Sequence, residues 1–365
     1  MKTPVMLPAL VAVFSVCVPS AASAQSPAKN DAVTTRPQKT ELISESVVLE
    51  TATFDLHGTL LRPKASGPAP IALIIAGSGP TDRDGNTAGL KGPNNSLKLL
   101  AEGLAAQGIA SLRYDKRGIG ESAVPKNPNL SLKESDLRFD TFIEDAVSWG
   151  RKLRADRRFS FLAVVGHSEG SLIGMIAAKR LNAEAYISIA GPGRPAHQVL
   201  LDQLKAGLPP DLLKSAEEII NQLAAGKTVE SVPASLNFLL RPGIQPYLIS
   251  WFQFNPAEEI SGLSVPVLIV QGTTDIQVGV EEARLLARAN PKAKLLLVEG
   301  VNHVLKAVPT DMAKQIASYS DPALPVIPEL VSGVGRFLNE SAGRRSSSLA
   351  ATSSAASRVV QAGVR

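Results

Sequence analysis

The sequence predicts an α/β fold: a mostly parallel sheet flanked by helices, with a helical cap inserted into it. Three observations predict it. Short β-branched and Leu-rich runs alternate with longer helical patterns along the body of the chain, the rhythm of βα units. Several of these runs are apolar throughout, as in Ile71–Ala76, which suits strands covered on both faces. The rhythm then breaks between Pro192 and Val265, a stretch rich in Leu, Pro and Gln with no clear buried strand.

The elements follow in order. Ser46–Glu50 and Phe54–Arg62 read as two antiparallel strands turning around Thr51–Thr53. Ile71–Ala76 is the next strand and ends in Gly77-Ser78-Gly79-Pro80. Leu97–Gln107 is an amphipathic helix stopped by Gly108, and Ala110–Tyr114 is a strand. Phe142–Leu153 is helical, Phe161–Val165 is a strand running into Gly166, Leu172–Leu181 is a helix and Ala185–Ala190 a strand. In the interruption, Leu200–Leu204 and Leu212–Leu223 read as helices, and Leu236–Phe254 is apolar and aromatic. A loop this long usually has structure of its own, here a cap over residues 192–265. Pro266–Val270 and Leu295–Val298 supply two more strands, and Val326–Leu338 a closing helix. The body thus divides into a first core part (41–191), the cap (192–265) and a second core part (266–340).

The 365 residues carry a net charge of +5, with 44% hydrophobic and 19% charged residues. Lys2 and the four arginines Arg344, Arg345, Arg358 and Arg365 account for the whole excess, so residues 25–340 are neutral. A neutral body gives no electrostatic reason to expect nucleic acid. Residues 1–24 read as a secretory signal peptide: Lys2, the apolar stretch Val5–Val18 broken by Pro8, and Ala22-Ser23-Ala24 as cleavage site. That predicts export to a periplasm or the outside of the cell, with no stable membrane anchor after cleavage. The only cysteine, Cys17, leaves with the leader. A disulfide scaffold is thereby excluded. Residues 25–40 read as a flexible lead-in, and the Ser/Ala-rich residues 341–365 as a disordered tail.

Gly166-His167-Ser168-Glu169-Gly170 matches G-x-S-x-G. Alone the pentapeptide is weak, but it lies between a strand and a helix, the turn that exposes a serine hydroxyl above a sheet. A serine nucleophile needs a base, and the base an orienting carboxylate. Asp275 follows the strand Pro266–Val270, and His303 follows Leu295–Val298, both at the carboxyl ends where α/β sites form. Ser168, Asp275 and His303 therefore agree in type, chain order and strand position. Asp275 as a helix N-cap is the competing reading. Asp82, Asp84 and Asp115 precede the serine, the wrong order for the acid. Of the other three histidines, His57 reads as a strand or turn residue, His197 as a solvent-facing cap residue and His167 as part of the elbow. The developing oxyanion needs amide donors: the N–H of Glu169, and the N–H of Ser78 with Gly79 as a near competitor. The Gly77-Ser78-Gly79 loop lacks the spacing of a phosphate cradle.

These residues resemble the α/β-hydrolase superfamily, within it bacterial carboxylesterases and the serine-aminopeptidase-like and dienelactone-hydrolase-like lineages. The resemblance is carried by Gly77–Gly85, by Tyr114-Asp115-Lys116-Arg117-Gly118-Ile119-Gly120-Glu121-Ser122, by the elbow, by Gly272–Val278 and by Asn302-His303. It spans about residues 45–340 and implies an eight-stranded, mostly parallel sheet. It also implies that Asp115–Ser122 is a structural turn beside the site. One departure is that Ala76-Gly77 stands where His-Gly is usual before the oxyanion donor.

The expected function is a secreted serine hydrolase cleaving carboxylic esters of short to medium acyl chain. No cofactor is implied, and no metal, since there is no H-E-x-x-H and no cysteine cluster. Leu236, Phe238, Leu239, Leu240, Tyr247, Trp251, Phe252 and Phe254 either line an acyl pocket or pack the cap onto the body. Two alternatives stay open: a serine peptidase of the same fold, for which Glu169 is a candidate anchor, and a non-catalytic secreted binding module.

Overall fold

Two antiparallel strands, β1 (Leu42–Glu50) and β2 (Asp55–Pro63), open the sheet. Six more follow: β3 (Ala69–Ile75), β4 (Ala110–Tyr114), β5 (Phe159–His167), β6 (Ala185–Ile189), β7 (Val267–Gly272) and β8 (Lys294–Val298). Their order in space is β1-β2-β4-β3-β5-β6-β7-β8, with every pair after β2–β4 parallel. This is the eight-stranded, mostly parallel sheet expected. The structure is a computed structural model that describes residues 41–64, 67–127, 133–205 and 207–362; the expected leader (1–24) and lead-in (25–40) lie outside them.

Strand periodicity decides which helices cover which face. Ile71, Leu73 and Ile75 of β3, with Leu162 and Val164 of β5, share one core with α2 (Phe139–Ala155), α3 (Glu169–Leu181) and the cap. Ala72, Ile74 and Ala76, with Ala163 and Val165, share the opposite core with α1 (Ser96–Ala105) and the closing helix. Because both faces are covered, β4, β6 and β7 are buried along their whole length and β3 over its last five residues, while the outer strand β1 alternates. In α1 the buried Leu97, Leu100, Ala101 and Leu104 recur at helical spacing. The chain leaves it through Gly108 at φ +82°, a left-handed turn that glycine adopts without strain.

Between β6 and β7 the chain forms α4 (Ala196–Lys205), α5 (Pro210–Ala224), α6 (Asn237–Leu240), α7 (Gln245–Phe252) and α8 (Pro256–Ser261). Of the two roles expected for the aromatic run, packing takes most of it. Trp251 stacks on Phe139 of α2 with centroids 5.7 Å apart and planes 8° apart, and Tyr247 meets Phe142 edge-on at 5.7 Å. Leu236, Leu239, Leu240 and Phe252 are buried as well, while Phe238 is exposed. Ser250 Oγ accepts from the Phe139 amide at 2.8 Å, and Arg241 pairs with Glu134 at 2.8 Å, so polar contacts fix the cap at the start of α2 and at the turn before it.

After β7 come α9 (Val280–Ala289), α10 (Met312–Ser318) and α11 (Pro328–Ala362). Two of these correct the expectation. The seven-residue α10 has no counterpart in the sequence reading. The tail expected to be disordered over 341–365 is helical as far as Ala362, continuing α11. Its residues up to that point are Ala, Ser and Arg in the main, with no proline after Pro328, so backbone propensity permits what an apolar period did not announce.

Candidate active site

The elbow is built by close approach. Ser168 sits between β5 and α3 at φ 55°, ψ −123°, a conformation side chains other than glycine rarely adopt. Its amide donates to Ile189 O at 3.0 Å, and its carbonyl accepts from the Ser171 amide at 2.9 Å. Glycine is required on both sides. A Cβ on Gly166 would lie 2.1 Å from Gly170 O, and one on Gly170 would lie 2.4 Å from Ile75 O. The serine side chain makes no cap hydrogen bond to α3.

Asp275 and His303 are brought together. His303 Nδ1 and Asp275 Oδ2 are 2.8 Å apart, with both side chains buried. The amides of Gln277 and Val278 donate to Asp275 Oδ1 at 2.8 and 3.0 Å. The N-cap of α9 is Gly279, so Asp275 does not fill that role. Burial works against an ionised Asp275, but His303 and these two amides outweigh it and leave its pKa below the ordinary carboxylate value. Asp82 accepts from Asp84 and Asn86 amides, Asp84 binds Arg113, and Asp115 binds Arg83 and the Glu121 amide. All three rival carboxylates are thus engaged in loop structure. Ser122 Oγ likewise accepts the His57 amide at 2.8 Å, the structural turn expected of Asp115–Ser122.

His167 joins the elbow to the base. Its Nε2 lies 2.8 Å from His303 O, and because a carbonyl can only accept, Nε2 carries the proton. The two imidazole rings are 4.9 Å apart. Burial, reinforced by the neighbouring His303, pushes the His167 pKa down to about 3, so it stays neutral at ordinary pH. A histidine depressed in the folded state contributes stability that is complete above its unfolded value of 6.5 and is lost as pH falls toward 3. His167→Gln keeps a donor but cannot titrate. Wild type is expected to lose stability relative to this variant by up to about 1.4 kcal/mol per pH unit between pH 6 and 4. Urea melts across that range are the check, and parallel slopes for the two proteins would refute it. His197, expected to face solvent, instead lies half-buried with its ring 5.6 Å from that of Phe252.

The loop that carries the expected donor Ser78 lies against the elbow. A Cβ on Gly77 would lie 3.1 Å from Ser168 Cβ, so the Gly77-Ser78-Gly79 loop runs against the serine. Glu169, next to the serine, is buried and its carboxylate is fully engaged. Lys116 Nζ bonds Glu169 Oε2 at 2.7 Å, and Tyr247 of the cap donates to Glu169 Oε1. Lys116 Nζ also donates to Gly77 O at 2.6 Å. Burial and the adjacent carboxylate drive the Tyr247 pKa well above its usual value, which keeps its hydroxyl a donor.

Sequence reasoning placed Lys116 only in a turn beside the site and Tyr247 only among residues that line a pocket or pack the cap, and gave neither a link to Glu169. Strand order carried a signal for the first: β4 neighbours β3, so the residue two past the end of β4 falls beside the loop after β3. Nothing local marks Tyr247. Among the described residues no group of three or more His, Cys, Asp or Glu side chains is placed to hold a metal.

Comparison with known proteins is consistent with this geometry. Esterase EstD of Thermotoga maritima is 31% identical over 268 residues, covering 71% of this chain. The chain has the α/β-hydrolase fold and is similar in sequence to this esterase. The chain spans 61% of the length of that curated relative. A family model described as serine aminopeptidase, S33, matches residues 89–241, which include the elbow but neither Asp275 nor His303. Two solved structures share the α/β-hydrolase fold. Est1E from Butyrivibrio proteoclasticus, solved with ferulic acid, has a TM-score of 0.53 at 18% identity, over 81% of this chain and 98% of that one. Proline iminopeptidase from Mycobacterium smegmatis has a TM-score of 0.52 at 14% identity, over 82% and 100%.

Proposed function

We propose that the protein is an exported serine hydrolase that cleaves carboxylic esters through an acyl-enzyme. The observation that carries this reading is the buried Asp275–His303 pair, tied through His167 to a strained serine on a strand–helix elbow. In this mechanism His303 takes the Ser168 proton as the hydroxyl attacks the acyl carbonyl, then delivers it to the leaving alcohol. Asp275 holds His303 in the tautomer with Nε2 free and stabilises the imidazolium. The amides of Ser78 and Glu169 receive the oxyanion. Water then attacks the acyl-enzyme with His303 again as base.

One observation favours esters over peptides with a free N-terminus. An anchor for a substrate ammonium must be reachable, and Glu169 is 3% exposed with both oxygens committed to Lys116 and Tyr247. The likeness to an esterase points the same way. Short to medium acyl chains fit a cap whose aromatic side chains are mostly spent on packing against α2. A non-catalytic binding role would leave the strain at Ser168 and the buried acid–base pair without a use. Export rests on the tripartite pattern of residues 1–24; no helix among the described residues is long and apolar enough to cross a membrane.

The test is turnover of p-nitrophenyl acetate, butyrate and octanoate beside an aminoacyl p-nitroanilide, with fluorophosphonate labelling of the serine. Ester turnover falling off toward octanoate is the expected result. Preference for the anilide would install the peptidase reading, and absence of both turnover and label would leave the binding role.

A further inference from the structure

We propose that Lys116 is a positioning residue for the oxyanion hole: by holding the Gly77 carbonyl it fixes the amide of Ser78 toward the nucleophile. The inference rests on the esterase reading above and assigns how one of its donors is aimed. Gly77 C=O and Ser78 N–H belong to one planar peptide unit, and the described chain has no cis peptide bond, so the two groups point in opposite directions. The Lys116 ammonium, 2.6 Å from Gly77 O, therefore sets the direction of the Ser78 N–H from behind. It also draws electron density toward the carbonyl, which makes that N–H a stronger donor. The next peptide is pinned as well, since Thr81 Oγ1 donates to Ser78 O at 2.8 Å. The loop backbone is thus held in two consecutive planes where it abuts Ser168.

The surroundings of Lys116 argue for use rather than stability. Its side chain is 1% exposed, lies 5.6 Å from the Phe142 ring centre and pairs with a carboxylate 2% exposed. A buried ion pair is often replaceable by apolar residues at no loss of stability. What apolar residues cannot supply is the third contact, on a carbonyl of the loop beside the nucleophile. Through Glu169 the same ammonium reaches Tyr247, so cap, elbow and oxyanion loop meet at one cation.

The experiment compares wild type, Lys116→Met, Glu169→Gln and the K116M/E169Q double variant on p-nitrophenyl butyrate, with thermal melts alongside. The double variant leaves no unpaired buried charge, so it separates neutralising Glu169 from holding Gly77. Its kcat is expected to fall about 100-fold, the loss of one oxyanion donor, with KM within about threefold of wild type. Affinity for a trifluoromethyl ketone, which places an oxyanion in the hole, should weaken by a similar factor. Glu169→Gln keeps the ammonium on Gly77 O, so its loss in kcat is expected to be at least about tenfold smaller than that of K116M/E169Q. Wild-type kcat in K116M/E169Q overturns the proposal. If that variant does not fold, a loss in Glu169→Gln as large as in Lys116→Met does so, by placing the role on the ion pair. A wild-type protein that turns over no ester refutes the esterase reading itself, and this proposal falls with it.

Discussion

Ser168→Gly is expected to unfold at a higher urea concentration than the wild type while hydrolysing no ester. The serine holds φ 55°, ψ −123°, which crowds its Cβ against the backbone. A residue kept in such a region costs about 1–3 kcal/mol. Glycine removes that strain but loses about 0.5–1 kcal/mol through its freer unfolded chain. The balance is a gain of about 1 kcal/mol. Without the hydroxyl there is no nucleophile, and kcat should drop by about 10⁶. Ser168→Ala separates the two effects, since it loses the same activity and keeps the strained Cβ. Equal stability of the Gly and Ala variants would disprove strain at the elbow. Activity of Ser168→Gly within a hundredfold of wild type would remove Ser168 from the mechanism.

Asp275→Asn should lower kcat by about 10⁴ and leave the fold intact. The amide oxygen of asparagine can still accept from the Gln277 and Val278 amides, so the turn before α9 survives. Its NH₂ then faces His303 Nδ1, where a carboxylate oxygen stood 2.8 Å away. His303 must turn that nitrogen into an acceptor and carry its proton on Nε2, the tautomer that cannot take a proton from serine. Gln271 Nε2, 3.2 Å from Asp275 Oδ2, is a second donor that the asparagine NH₂ would meet. Steady-state kinetics with circular dichroism would decide it. A kcat within tenfold of wild type would show that another group orients the histidine.

The buried parallel strands, the elbow at Ser168 and the Asp275–His303 pair were legible in the sequence for one physical reason. A strand covered on both faces is mostly apolar, and its carboxyl end is where loops can carry chemistry. Ile71–Ala76, Phe161–Val165 and Pro266–Val270 announced themselves this way, and chain order put forward Ser168, Asp275 and His303 as the candidates. Boundaries ran short: β5 extends to His167, which makes that residue part of the sheet as well as the elbow. The helix α10 has too few turns to show a period, and α11 past Leu338 has no apolar stripe to read. The Lys116–Glu169 contact joins residues 53 apart in sequence, and Tyr247 lies 78 beyond Glu169. No local pattern encodes such a meeting. Only the strand order, and the way the cap settles on α2, bring these side chains together.

The sheet also separates two kinds of sequence change. The cap, α2 and α3 share one core with Leu73 and Val164, whereas α1 and α11 share the other with Ile74 and Val165. Substitutions on opposite sides of a sheet with no shared partner add in their effects. Mutations that reshape the cap can therefore be offset by unrelated improvements beneath α1 and α11, on the far side of the sheet. Such a division lets the cap change while the opposite core absorbs the cost in stability, which makes the cap the part of this fold most free to diverge.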